Sequence, residues 1–238
     1  FILIGKITTA IMIIPVIAAI WQRRFLNRPL KVFLVYRVMA VLFNLLEHAI
    51  IWYVIHYYEQ AKPWLEYWGI KNTNFLAINY QLNNFFWLGW FYALLAPNKQ
   101  YSWRIKGIAA IGFTALVVYY GLFEGMHGFG KFNRTATAIF TFGLAFFYLW
   151  HIYRSQLALP LTKNPYFWLS LGLIIPYLAS FFLFLVGDVS HEQNLPLFIT
   201  MSIIKDGFLI IAQILFAIGF YRARYARFVP LPGASAAQ

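Results

Sequence analysis

The sequence predicts an all-α polytopic membrane protein. The expected architecture is a bundle of seven transmembrane helices, with the N-terminus outside and the C-terminus in the cytoplasm. Three observations carry that expectation. The 238 residues are 62% hydrophobic and 11% charged, where a soluble domain carries about 25% charged residues. The apolar residues fall in seven long runs, most near the ~20 residues that a spanning helix needs. The basic residues gather in alternate loops, as membrane topology demands.

Segment one covers about 1–21. The loop after it, 22–31, holds Arg23, Arg24, Arg28 and Lys31 and no acid. Segment two covers about 32–55, and the loop 56–74 is mixed in charge, with Glu59, Lys62, Glu66 and Lys71. Segment three covers about 75–95, followed by Lys99, Arg104 and Lys106. Segment four covers about 107–123, and its outer loop carries Glu124, His127, Lys131 and Arg134. Segment five covers about 135–153, then Arg154 and Lys163 follow. Segment six covers about 166–187, with Pro176 near its middle as the expected site of a kink. Segment seven covers about 197–220 and leads into Arg222, Arg224 and Arg227. Residues 1–228 read as one transmembrane domain and 229–238 as a flexible cytoplasmic tail.

The charge count fixes the expected orientation. The loops after segments one, three and five, with the tail, hold 12 Lys or Arg and no acid. The other loops hold 4 Lys or Arg and five acids. The formal charge of +12 therefore reads as a cytoplasmic face suited to anionic lipid headgroups or an acidic protein partner, in the membrane or the cytoplasm. It does not read as a nucleic-acid surface. Cysteine is absent, which excludes thiolate metal sites and redox thiols. No internal repeat of the kind that marks duplicated transporter halves is visible.

Polar residues inside the apolar runs mark the candidate site. Segment two carries Arg37, Asn44, Glu47 and His48. Ionisable groups at membrane depth are costly and face the bundle interior. Glu47 is expected about 5 Å outside the midplane at 1.5 Å per residue. Asn83 and Asn84 in segment three, and Lys205 and Asp206 in segment seven, are expected at the same height. Glu47, His48, Asn44, Asn83, Asn84, Lys205 and Asp206 thus form a candidate ligand- or proton-binding layer between segments two, three and seven. Glu47 is expected to pair with Lys205. Lys205 and Asp206 are neighbours, about 100° apart on a helix, and are not required to share a pocket. Arg37 is expected to snorkel to the cytoplasmic end, and Lys6 to the outer end. The bland alternative stands beside the functional one: bonds across transmembrane helices contribute about 0.6 kcal/mol each and are ordinary glue.

Other patterns weigh less. His56, His127 and His191, with Asp188 or Glu124, lack zinc-ligand spacing, and no metal is expected. His151 reads as an interfacial residue. Asn133-Arg134-Thr135 matches a glycosylation sequon on the outer side.

Seven spans, an outside N-terminus and Lys205 in the last segment resemble the microbial rhodopsins. That resemblance implies retinal on Lys205 and carboxylates in the third segment. Segment three offers Asn79, Gln81, Asn83 and Asn84 instead, which disfavours retinal. Zinc hydrolases of the adiponectin-receptor type need intramembrane histidines, and segment seven has none. Leu45-Leu46-Glu47, Asn72-Thr73-Asn74-Phe75, the run from Ile78 to Phe85 and Phe167-Trp168 together resemble a family of uncharacterised bacterial seven-transmembrane-helix proteins. The family's pattern has an acid where Asn84 stands, so this chain departs from it there. The resemblance implies a bacterial inner-membrane location and no particular activity.

The expected function is that of an integral membrane receptor or sensor signalling through a partner. The alternatives are a small ion- or proton-coupled transporter or channel, and an accessory subunit of a larger membrane complex. No nucleophile–base pairing points to an enzyme.

Overall fold

Pro15 shapes the start of the fold. A proline has no N–H to donate and its ring clashes with the carbonyl four residues back. In the computed structural model the first apolar run accordingly divides into α1 (Ile2–Ile11) and α2 (Ile14–Trp21), with Pro15 in the first turn of α2. The structure describes residues 2–67, 76–124, 131–155, 159–193 and 195–229, without the side chains of 2–6, 124, 131, 182–193, 195 and 198.

The next helix, α3 (Arg28–His56), begins at an asparagine cap: Asn27 Oδ1 accepts from the Leu30 amide at 3.3 Å. A short helix, α4 (Tyr58–Tyr67), follows. The third apolar run forms α5 (Ala77–Asn83), a π-helical turn over Asn84–Leu88, and α6 (Gly89–Leu95). Asn98 caps α7 (Lys99–Tyr119) by accepting from the Tyr101 amide at 2.9 Å. Then come α8 (Lys131–Arg154), α9 (Pro165–Gln193), α10 (Leu195–Tyr221) and a 3-10 turn over Arg222–Phe228. The described residues contain no strand.

Apolarity marked the lipid-facing part of each helix rather than its ends. Hence α7 starts eight residues before the expected 107, where its cap lies, and α9 continues helically through 188–193, read from sequence as loop. The same reading missed α4 in the polar segment 56–74.

The helices pack in a closed circuit. Helix α3 meets α2 and α6, α6 meets α7 and α8, α8 meets α9, α9 meets α10, and α10 returns to α2 and α1. Glycines allow the tightest contacts. A Cβ on Gly219 of α10 would stand 2.6 Å from Leu169 Cδ2 and 3.1 Å from the Pro165 carbonyl oxygen. One on Gly172 of α9 would stand 2.6 Å from the Phe216 ring. Small residues serve membrane helices this way, because close backbone approach replaces the hydrophobic drive that lipid removes.

One half of the circuit is filled. Phe33 lies 4.9 Å from Phe91, 5.3 Å from Phe216 and 6.0 Å from Phe220, centre to centre. Leu30, Leu88, Tyr166 and Leu169 complete this fully buried cluster. Tyr92 donates to Ser170 at 3.0 Å and Tyr166 to Asn27 at 2.9 Å, so the buried hydroxyls here are bonded.

The outside of the circuit is apolar. Trp103, Ile108 and Ile111 on α7, Leu42 and Leu45 on α3, and Ile211 and Ile214 on α10 are all exposed. A soluble protein does not expose so much contiguous apolar surface. Four helices, Arg28–His56, Lys99–Phe123, Phe132–Arg154 and Ile199–Phe228, are long and apolar enough to cross a membrane. The apolar stretches Ile7–Trp21 and Pro165–Phe181 are shorter. These features mark a membrane protein.

Candidate functional site

The other half of the circuit holds a half-open cavity of about 570 Å³, lined by polar and apolar side chains. Its walls come from α1, α3, α5, α8, α9 and α10. On α3 the lining runs Arg37, Ala40, Asn44, Glu47, His48 and Ile51. That three-and-four spacing is one helical face, and it extends about 22 Å from Tyr36 to Ile51 at the helical rise. On α10 the lining runs Lys205, Asp206, Leu209, Ala212, Gln213 and Phe216, with the same spacing. The floor, at Tyr36, Leu173 and Phe216, is the top of the aromatic cluster. His48 is exposed at the mouth.

All seven candidate residues from the sequence line this one cavity: Asn44, Glu47 and His48 from α3, Asn83 and Asn84 from the third run, and Lys205 and Asp206 from α10. Both asparagines serve it, at the junction where α5 passes into the π turn. Adjacent residues of a regular helix point about 100° apart, yet Asn83 and Asn84 are both buried. Asn83 Nδ2 donates to the Tyr36 carbonyl at 3.3 Å, and Asn84 Nδ2 to the Tyr177 hydroxyl at 2.6 Å. The first ties the third run to α3 and the second ties it to α9. Asn79, one turn earlier, does not line the cavity.

Three sequence expectations need correction. First, Glu47 does not pair with Lys205. Tyr80 donates to Glu47 Oε2 at 3.3 Å, while Lys205 Nζ lies 3.5 Å from Asp206 Oδ1. A four-carbon stem bends far enough to reach a neighbouring carboxylate, so the angle between adjacent residues did not separate Lys205 from Asp206. Second, Arg37 does not snorkel. It is 4% exposed and its Nη2 donates to Gln213 Oε1 at 2.6 Å, joining α3 to α10. Its helical face, not its distance from the helix end, decides its direction. Third, Asn133 is fully buried within α8, so the sequon offers no accessible acceptor. His48, which lines the cavity, also turns back on its own helix: Nδ1 donates to the Asn44 carbonyl at 2.9 Å.

Three buried polar atoms at the site have no hydrogen-bond partner: Arg37 Nε, Asn44 Oδ1 and Asn83 Oδ1. A buried donor or acceptor left unmet costs more than a bond returns, so this wall is held at some expense. Sequence reasoning passed over Tyr80, Gln81, Tyr177 and Ser180, which also line the cavity. The available signal was spacing: Tyr80 lies four before Asn84, and Tyr177 is next to Pro176, itself in the wall.

Among the described residues no three His, Asp or Glu side chains converge as for a metal. His56 donates to the Trp52 carbonyl at 2.9 Å and stacks on that ring. His127 and the side chains of Glu124, Asp188, His191 and Lys6 lie outside the described residues. His151 sits near Tyr148 and Pro97 in the packed half. No family model, curated protein or solved structure matches the chain.

Proposed function

We propose that the chain is a seven-span receptor or sensor of the bacterial inner membrane. Its N-terminus is outside, and its cavity takes a small polar ligand from the outer side. Signal output passes through a partner at the basic cytoplasmic face. The observation that carries this reading is the cavity itself. Its volume, about 570 Å³, falls in the range of small-molecule sites, about 300–1,000 Å³. The floor supports a receptor over a channel, since Phe33, Phe91, Phe216 and Phe220 fill the space beneath it. The shorter apolar stretches Ile7–Trp21 and Pro165–Phe181, and the third run, supply the three spans beyond the four long helices. The charge asymmetry of the loops supports the orientation.

A second reading, a small proton-coupled transporter, is favoured by one observation: Glu47 is a half-buried carboxylate in the same wall as His48. One experiment separates the two. Purified protein in liposomes is screened against amino acids, organic acids, sugars and amines. A receptor is stabilised by at least one class without moving it across the bilayer. At a hundredfold excess over Kd, stabilisation is about 2.7 kcal/mol, an easily read shift in unfolding temperature. Ala40→Trp, which fills the cavity, removes the shift. Gradient-driven flux of the bound compound contradicts the receptor, and no stabilisation by any class contradicts both readings.

A further inference from the structure

Arg37 is a buried cation whose partners among the described residues, Gln213 and Tyr36, are neutral. Its Nη2 donates to the Gln213 amide oxygen, and its Nε, on the same edge of the fork, finds no acceptor. Its guanidinium carbon lies 4.9 Å from the centre of the Phe216 ring and 5.6 Å from that of Tyr36. Cation–π contact softens burial but supplies no counter-charge.

The cavity's two described acids are committed elsewhere. Asp206 is 3.5 Å from Lys205. Glu47 accepts from Tyr80 and stands ten residues along α3, about 15 Å away by helical rise. Among the described residues, no carboxylate pairs with Arg37. A guanidinium does not lose its proton in a protein, and an ion taken out of water is costly unless paired. No described residue supplies the counter-charge, which leaves the place open to an anion from outside the chain. A guanidinium edge matches the two oxygens of a carboxylate better than a spherical ion. The α10 wall beside Arg37 holds Leu209 and Ala212, which suits a carbon body behind the acid.

We propose that Arg37 holds the carboxylate of a small, water-borne organic acid at the cavity floor. This inference rests on the ligand-binding reading above and names the ligand's chemistry.

The test compares acetate, succinate and benzoate with acetamide, succinamide and benzamide, and with chloride, inorganic phosphate and oleate. Full-length protein in lipid nanodiscs is read by its unfolding midpoint. At least one small acid raises the midpoint, while its amide and the inorganic ions do not. In Arg37→Lys the apparent affinity falls about tenfold or more, because an ammonium lacks the fork. Gln213→Glu keeps the fold by giving Arg37 an internal carboxylate, and that built-in acid excludes the external one, abolishing the shift. Equal stabilisation by acid and amide overturns the inference. So does stabilisation by chloride or phosphate as strong as by the acid, by oleate alone, or undiminished in Gln213→Glu. A neutral compound or amine that stabilises the wild type but not Ala40→Trp would leave the receptor reading standing and remove this one.

Discussion

At the scale of single residues, the bond between Arg37 and Gln213 joins two helices and sets the floor of the cavity. Its 2.6 Å length and full burial put it among hydrogen bonds to charged groups, worth about 1.5–3 kcal/mol. Gln213→Leu keeps the volume and removes the acceptor. We expect a loss of about 2–3 kcal/mol in reversible unfolding, because the buried guanidinium loses its short bond across the helices. A loss below the ~0.6 kcal/mol average for bonds between membrane helices would reduce the pair to ordinary glue. This bond was the least legible part of the site. Arg37 lies near a helix end in the sequence, where long cations usually reach water. Only rotation of α3 about its axis, which tertiary packing sets, turned it inward. Glu47 was legible as an acid in an apolar run. Its partner was not, because a tyrosine in a membrane segment also reads as an interfacial anchor.

At the scale of elements, two departures from regular helix shape the cavity. The π turn at Asn84–Leu88 starts where neighbouring asparagines bond to α3 and α9, and such turns recur at functional sites. The break before Pro15 separates α1, which brings Thr8 and Thr9 to the cavity, from α2, which packs on α10. Neither departure changes hydropathy, so the apolar pattern carried no sign of the π turn; the break had a visible cause in Pro15. The seam between α9 and α10 depends on close approach. Gly219→Val meets Leu169 and the Pro165 carbonyl and should cost about 1–3 kcal/mol of overpacking. Gly107→Ala on α7 has nothing within 4 Å and should be neutral or stabilise by about 0.5–1 kcal/mol through helix propensity. Thermal unfolding of both variants in one detergent checks the contrast. Equal effects would mean that the seam is not tightly packed.

At the scale of the whole molecule, the protein has a filled half and a hollow half. The filled half carries the aromatic cluster and ends at the basic turn Arg222–Phe228. The hollow half carries the cavity, with Glu47 and Asp206 in its wall. The helical class and the membrane-length helices were legible, because long apolar runs admit few other structures. The hollow was not, since it arises from what six helices leave unfilled. On the proposed topology the hollow faces outside, and every functional statement here depends on water reaching it from that side alone. The chain has no cysteine, so single substitutions report cleanly. Ser180→Cys lines the cavity and Ala93→Cys lies in the filled half. Each is treated with a charged, membrane-impermeant thiol reagent, in intact cells and in inverted vesicles. The account requires Ser180→Cys to react in intact cells and not in inverted vesicles, with Ala93→Cys inert in both. Reaction of Ser180→Cys only from the cytoplasmic side, or from neither side, would contradict it.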